Sequence, residues 1–220
     1  MLNQDTGDKM NYLNEFTNVQ KRLHEIGANI LYAETEAILT DGELPYLEEE
    51  YGVKIIDEVF QFYNTLNGAE LEWSLTLKET KIHGYMSLQS FIGILDEETE
   101  GKLWVDWYHK DDVEEIKQHY IFEFIPGADY YITIKFDKKG GYKLYYVAEG
   151  AVNNGGSKNL PEIPLTISQY FKVVSTYLGF SNIRYHLHKK EFYEKPFEVL
   201  PELEIIKELI PDFQPPLIRI

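Results

Sequence analysis

The sequence predicts an α+β fold, a mainly antiparallel sheet with helices packed around it. Three observations predict it. Apolar residues recur at spacings of three and four near both ends of the chain. Between Leu71 and Val147 the period changes to two, with turn residues separating the runs. Strand and helix never alternate regularly, as a parallel sheet would require.

The elements follow in order. Tyr12, Leu13, Phe16, Val19, Leu23 and Ile26 form a helical stripe, and the pattern resumes after Gly27 with Ile30, Leu31 and the run from Ala33 to Leu39. This spacing predicts helix over residues 8–40, closed by Asp41-Gly42. Pro45 suits a first helical turn, so a short helix runs from Leu44 and ends at Gly52. A third helix is expected from Lys54 to Leu66, with Ile55, Val59, Phe62 and Leu66 on one stripe and Asn67-Gly68 as the stop. Leu71, Trp73, Leu75 and Leu77 then alternate with polar residues as a half-buried strand does, and His83–Leu88 is a second strand. Residues 96–101 read as a turn or loop, and 111–117 as one or two helical turns opened by aspartates.

The strongest sheet signal comes next. Tyr120–Phe124, Tyr130–Phe136 and Tyr142–Val147 are separated by Pro126-Gly127-Ala128-Asp129 and by Asp137-Lys138-Lys139-Gly140-Gly141. Residues 148–164, with two adjacent asparagines, two adjacent glycines and two prolines, are expected to form a loop. Thr166 and Gln169 have capping-box spacing ahead of a helix to Leu178, which Gly179 ends. In the tail, Ile183–Leu187 reads as a strand and Glu202–Leu209 as a short helix.

Charge narrows the function. The 220 residues carry 21 Lys and Arg against 37 Asp and Glu, a formal net charge of −16. Nucleic acid and anionic membranes are poor partners for such a chain, and a basic protein is a good one. No run of about 18 apolar residues could span a bilayer, and the first eight residues lack the pattern of a secretory leader, so a cytoplasmic protein is expected. The absence of cysteine excludes a disulfide framework, a thiolate nucleophile and cysteine-ligated metals.

No motif argues for an enzyme or for a cofactor. Neither a Gly-x-Ser-x-Gly elbow nor a Ser-x-x-Lys helix is present, and Gly140-Gly141 and Gly155-Gly156 lack phosphate-loop spacing. His186 and His188 would share a strand face, with Glu191 nearby, and His109, Asp112 and His119 surround the acidic segment. The first pair has a spacing that can chelate a metal but no convincing ligand pattern around it, and the ten-residue separation of the second set follows no ligand rule, so no metal is expected. The tyrosines and phenylalanines at 120–146 read as sheet packing. From Asp96 to Glu115, nine acids face two lysines, with Trp104, Trp107 and Tyr108 interleaved. Such a segment either steers and anchors a basic partner or is an ordinary solvated loop with core tryptophans.

A family resemblance is carried by three stretches: Leu44-Pro45-Tyr46-Leu47-Glu48-Glu49-Glu50-Tyr51-Gly52-Val53, then Ile55 to Gly68, then the strand holding Trp73. Together they resemble the opening of SUKH domains, a superfamily of fungal Smi/Knr-type cell-wall assembly regulators and many bacterial immunity proteins. Phe124–Ile132, Gly141–Val147 and Thr166–Gly179 are similar to its second half. The chain departs from the pattern at Ile55-Ile56, where Leu-Pro is usual, and in an enlarged 93–118 segment. The resemblance implies a SUKH-like domain at 43–180, flanked by a helical extension at 1–42 and a packed C-terminal extension at 181–220. It implies a non-enzymatic protein that binds another protein, commonly a toxin and often a nuclease, by covering its active or substrate-binding surface. An adaptor of the same fold without a toxin partner is the alternative. The partner-binding candidates are Asp96, Glu97, Glu98, Glu100, Trp104, Trp107, Asp111, Asp112, Glu114 and Glu115.

Overall fold

The structure, a computed structural model, describes residues 10–95, 117–125, 130–148 and 160–218. The turns expected at 96–101 and 126–129, the helical turns from 111 and most of the 148–164 loop lie outside those residues.

Asn11 opens helix α1 (Tyr12–Glu25), its side chain accepting from the Asn14 amide at 2.9 Å. Gly27, at φ 75°, ends it. The helix expected to continue through 40 is instead a strand, β1 (Asn29–Thr35), followed by irregular chain. Ile30 and Ala33 lie opposite Trp73 and Leu71, and this pairing overrides the local helical pattern. Helix α2 (Leu44–Tyr51) has its proline in the first turn and ends at Gly52 with φ 62°, as expected. Helix α3 (Asp57–Thr65) begins three residues later than expected, where Asp57 and Glu58 face the positive helix end.

A hairpin of β2 (Ala69–Leu77) and β3 (Thr80–Leu88) follows, then helix α4 (Phe91–Leu95). The sheet continues through β4 (Tyr120–Phe124), β5 (Tyr130–Phe136) and β6 (Tyr142–Ala148). Asp137 shapes the β5–β6 turn, its carboxylate accepting from the amides of Lys139 at 2.6 Å and Gly141 at 3.0 Å. Within the stretch expected as loop, Glu162–Ile163 forms a short strand, β7, because Leu144 and Tyr145 offer it a free ladder. Among the described residues the sheet has seven antiparallel strands in chain order, β1 to β7.

Helix α5 (Ile167–Thr176) carries both halves of its capping box. It packs across one sheet face with α1 and α3. There Tyr12, Phe62 and Phe171 meet edge to face, their ring centres 4.9 to 5.9 Å apart. Both extensions share this core: α1 contributes Phe16, Val19 and Leu23, and the tail contributes Leu187, Phe192, Leu203 and Ile206. The opposite face of β4–β6 carries a smaller cluster of Ile121, Val147 and Leu160.

The tail corrects a further expectation. Ile183–Leu187 is not a strand; Ser181–His186 is a 3-10 helix. Ile183, Arg184 and Leu187 are buried at helical spacing while Tyr185 faces solvent, so the alternation of Ile183, Tyr185 and Leu187 misleads. His186 and His188 therefore share no strand face. The expected helix at the C-terminal side exists as Pro201–Leu203 and Glu204–Leu209.

Candidate protein-binding surface

Two places concentrate polar chemistry, one buried and one exposed. The buried one lies where the sheet splays. Strands β3 and β4 are paired at a single position, Leu88 with Glu123, so the peptide groups of β3 near Tyr85 need other partners. The turn after α5 supplies them. Gly179, at φ 68°, lets the chain pass so close that the Tyr85 amide donates to its carbonyl at 2.8 Å. Arg184 fills the remaining gap. Its guanidinium donates to the carbonyls of Tyr85 (2.6 Å), Gly179 (2.8 Å) and Phe180 (3.0 Å). It also grips Glu123 from β4 with two bonds, at 2.6 and 3.1 Å.

Neither Arg184 nor Glu123 is accessible to solvent. Burial opposes the arginine's charge, but Glu123 more than offsets it and holds the guanidinium above its ordinary pKa. The Tyr170 hydroxyl donates to the same carboxylate, and burial followed by that negative charge pushes its pKa well up. Enclosed on every side by core, this triad joins β3, β4, α5 and the tail. Its role is structural.

The exposed place is the outer face of β1–β3. Register sets it. Glu34 lies directly opposite Glu70, and Tyr32 opposite Glu72, which in turn faces Tyr85. Alternation along the strands turns these side chains away from buried Leu71, Trp73 and Met86. Like charges directly opposite one another destabilise a ladder. Among the described residues, Glu34, Glu36, Glu70 and Glu72 have no cationic partner. Tyr32 alone answers Glu34, donating its hydroxyl at 2.9 Å, and that bond raises the phenol's pKa. At the end of this face, Glu34, Glu36, Glu70, Ser87 and Gln89 line a notch of about 240 Å³. The arrangement can receive lysine or arginine side chains, with tyrosine rings beside them.

A larger cleft of about 530 Å³ separates β3 from the tail, floored by Ile82, Phe180 and Ile205 and rimmed by Glu202, Glu204 and Glu208. His186 stacks on Phe192 and His188 lies tilted against Tyr146, and both are held below their ordinary pKa, first by burial and then by Lys189. Among the described residues no group of three or more His, Asp or Glu is placed to hold a metal ion.

All ten candidates named from the sequence, Asp96 to Glu115, lie outside the described residues. The face on β1–β3 went unnamed for identifiable reasons. Glu34 and Glu36 sit in the stretch that reads as helix, whereas the outward register of Glu70 and Glu72 is visible in the alternation around Trp73. Arg184 and Glu123 have no local signal, since 61 residues separate them. No protein-family model matches the chain, and no curated protein matches it. No helix among the described residues is long and apolar enough to cross a membrane.

Proposed function

We propose that the chain is a non-enzymatic protein-binding module that takes a basic partner. In this reading it is an immunity-type protein that neutralises a cognate toxin by covering its active or substrate-binding surface. The observation that carries the reading is the acid and tyrosine face on β1–β3, whose carboxylates have no cation of their own among the described residues. Unpaired surface carboxylates speed encounter with a cationic partner, and nearby rings give the complex its anchors. A nuclease presents cationic surface because it must hold phosphates, and an acidic face competes for that surface.

The SUKH resemblance supports the same reading. Gly52 closes α2 in the left-handed conformation, Asn67-Gly68 follows α3, and strand β2 begins at Ala69. The sequence-named acids at 96–115 carry charge of the same sign.

The test is capture from cells of the source organism with the full chain as bait. A basic protein should be retained at low salt and released at high salt. The variant Glu34→Lys/Glu70→Lys/Glu72→Lys should retain less of it. Capture of an acidic or neutral protein, unaffected by salt and by this variant, overturns the reading.

A further inference from the structure

Among the described residues, strand β1 is one edge of the sheet, and no strand pairs with its outer side. The ladder to β2 establishes which peptide groups point outward. Glu36 donates to the Gly68 carbonyl, continuing the register that pairs Thr35 with Ala69 and Glu34 with Glu70. In an antiparallel ladder hydrogen-bonded pairs alternate with non-bonded ones. Glu34 and Tyr32 therefore spend their peptide groups on β2, and Ala33 and Thr35 aim theirs away from the sheet. Among the described residues nothing bonds to those outward groups.

Sheets ordinarily protect such an edge with lysine, proline, a very short strand or a covering segment. Strand β7, at the other edge, is two residues long. Strand β1 is seven residues long and contains no Lys, Arg or Pro. Its one irregularity is a bulge between Ile30 and Tyr32. Leu31 and Tyr32 on it are 53% and 40% exposed, and Ile38 beyond it is 51% exposed.

We propose that β1 is a docking edge that accepts an extended basic segment of the partner protein as an eighth strand. The inference rests on the reading of the chain as a partner-binding module and names the surface and the mode. Main-chain bonds to Ala33 and Thr35 hold the added strand, and its outward side chains run beside Tyr32 and Glu34. Neighbouring strands lie about 4.8 Å apart, so a lysine or arginine there reaches Glu34 and the notch with Glu36 and Glu70. Charge selects this occupant over a second copy of the chain. Two β1 strands paired antiparallel through both Ala33 and Thr35 would set Glu34 directly opposite its counterpart, between molecules of net charge −16 each.

The test titrates the full, isotope-labelled chain with a synthetic peptide of alternating lysine and valine at low salt. Amide shifts and exchange protection should concentrate on residues 30–36. Ala33→Pro removes one outward donor, at a position where edge strands tolerate proline, and should weaken binding at least about tenfold. N-methylating one edge of the peptide, with its charge unchanged, should do the same, and this comparison stands even if Ala33→Pro does not fold. A glutamate–valine peptide should not bind. Absence of shifts at 30–36 overturns the proposal, as does equal binding of the N-methylated peptide. Concentration-dependent protection of β1 without peptide overturns it in favour of self-association. If a partner captured from cells binds Ala33→Pro as well as wild type, the edge is wrong and the binding function survives. If the peptide binds the edge but no basic protein is captured, the function is wrong and the edge survives.

Discussion

Arg184 shows how much one residue can hold. Its guanidinium spans the splay between β3 and β4, and Glu123 answers it from the far side. Removing one member of a buried pair strands the other charge, so Arg184→Met should cost about 3–5 kcal/mol. Urea unfolding measures this, and Glu123→Leu/Arg184→Met together should cost less than the two single changes summed. Gly84 is a second such position. A Cβ there would collide with the Trp73 indole nitrogen, which donates to the Leu178 carbonyl at 2.6 Å. Gly84→Ala should therefore destabilise by about 1–3 kcal/mol through overpacking, read from the same unfolding curves. The histidines set a pH dependence. His186 and His188 are held below their ordinary value of 6.5, so the unfolded chain takes up protons that the folded chain resists. Stability should be full above about pH 6.5 and fall as pH drops below it, and His186→Phe/His188→Phe should flatten that fall. None of these contacts was legible beforehand. Sequence places Glu123 on a strand and Arg184 in a tail, but only the fold brings them within bonding distance.

Elements were legible where local signals agreed with tertiary pairing. Thr166 and Gln169 announce α5 because the capping box is a local device, and both of its bonds are present. Thr166→Ala should cost about 1 kcal/mol in the same unfolding assay. Strand β2 was legible for the same reason, since its alternation matches one buried face, and β5 and β6 were legible because their β-branched and aromatic runs lie between turn residues. Segment 29–35 was not. Its apolar spacing fits a helix, and only pairing with β2 makes it a strand. Short β7 was hidden likewise, because Glu162 and Ile163 carry no periodicity and take their conformation from β6. The misread strand β1 is the open edge on which the docking inference rests.

At the scale of the molecule, charge connects fold with function. The antiparallel meander brings acids from β1 and β2 into register on one face of a chain whose net charge is −16. That net charge and the α+β class were readable from composition and period alone. The acid and tyrosine face was not, because it depends on the register of β1, and the candidates at Asp96–Glu115 lie outside the described residues. We propose that this acidic surface recruits a basic protein. The direct measurement is the association rate between the chain and the basic protein it captures, followed from about 0.05 M to about 0.5 M salt, where screening shortens from well over 10 Å to a few ångströms. The association rate should fall at least about tenfold while dissociation changes little, and Glu34→Lys/Glu70→Lys/Glu72→Lys should lower the low-salt rate toward the high-salt one. An association rate that ignores both salt and charge reversal would contradict it.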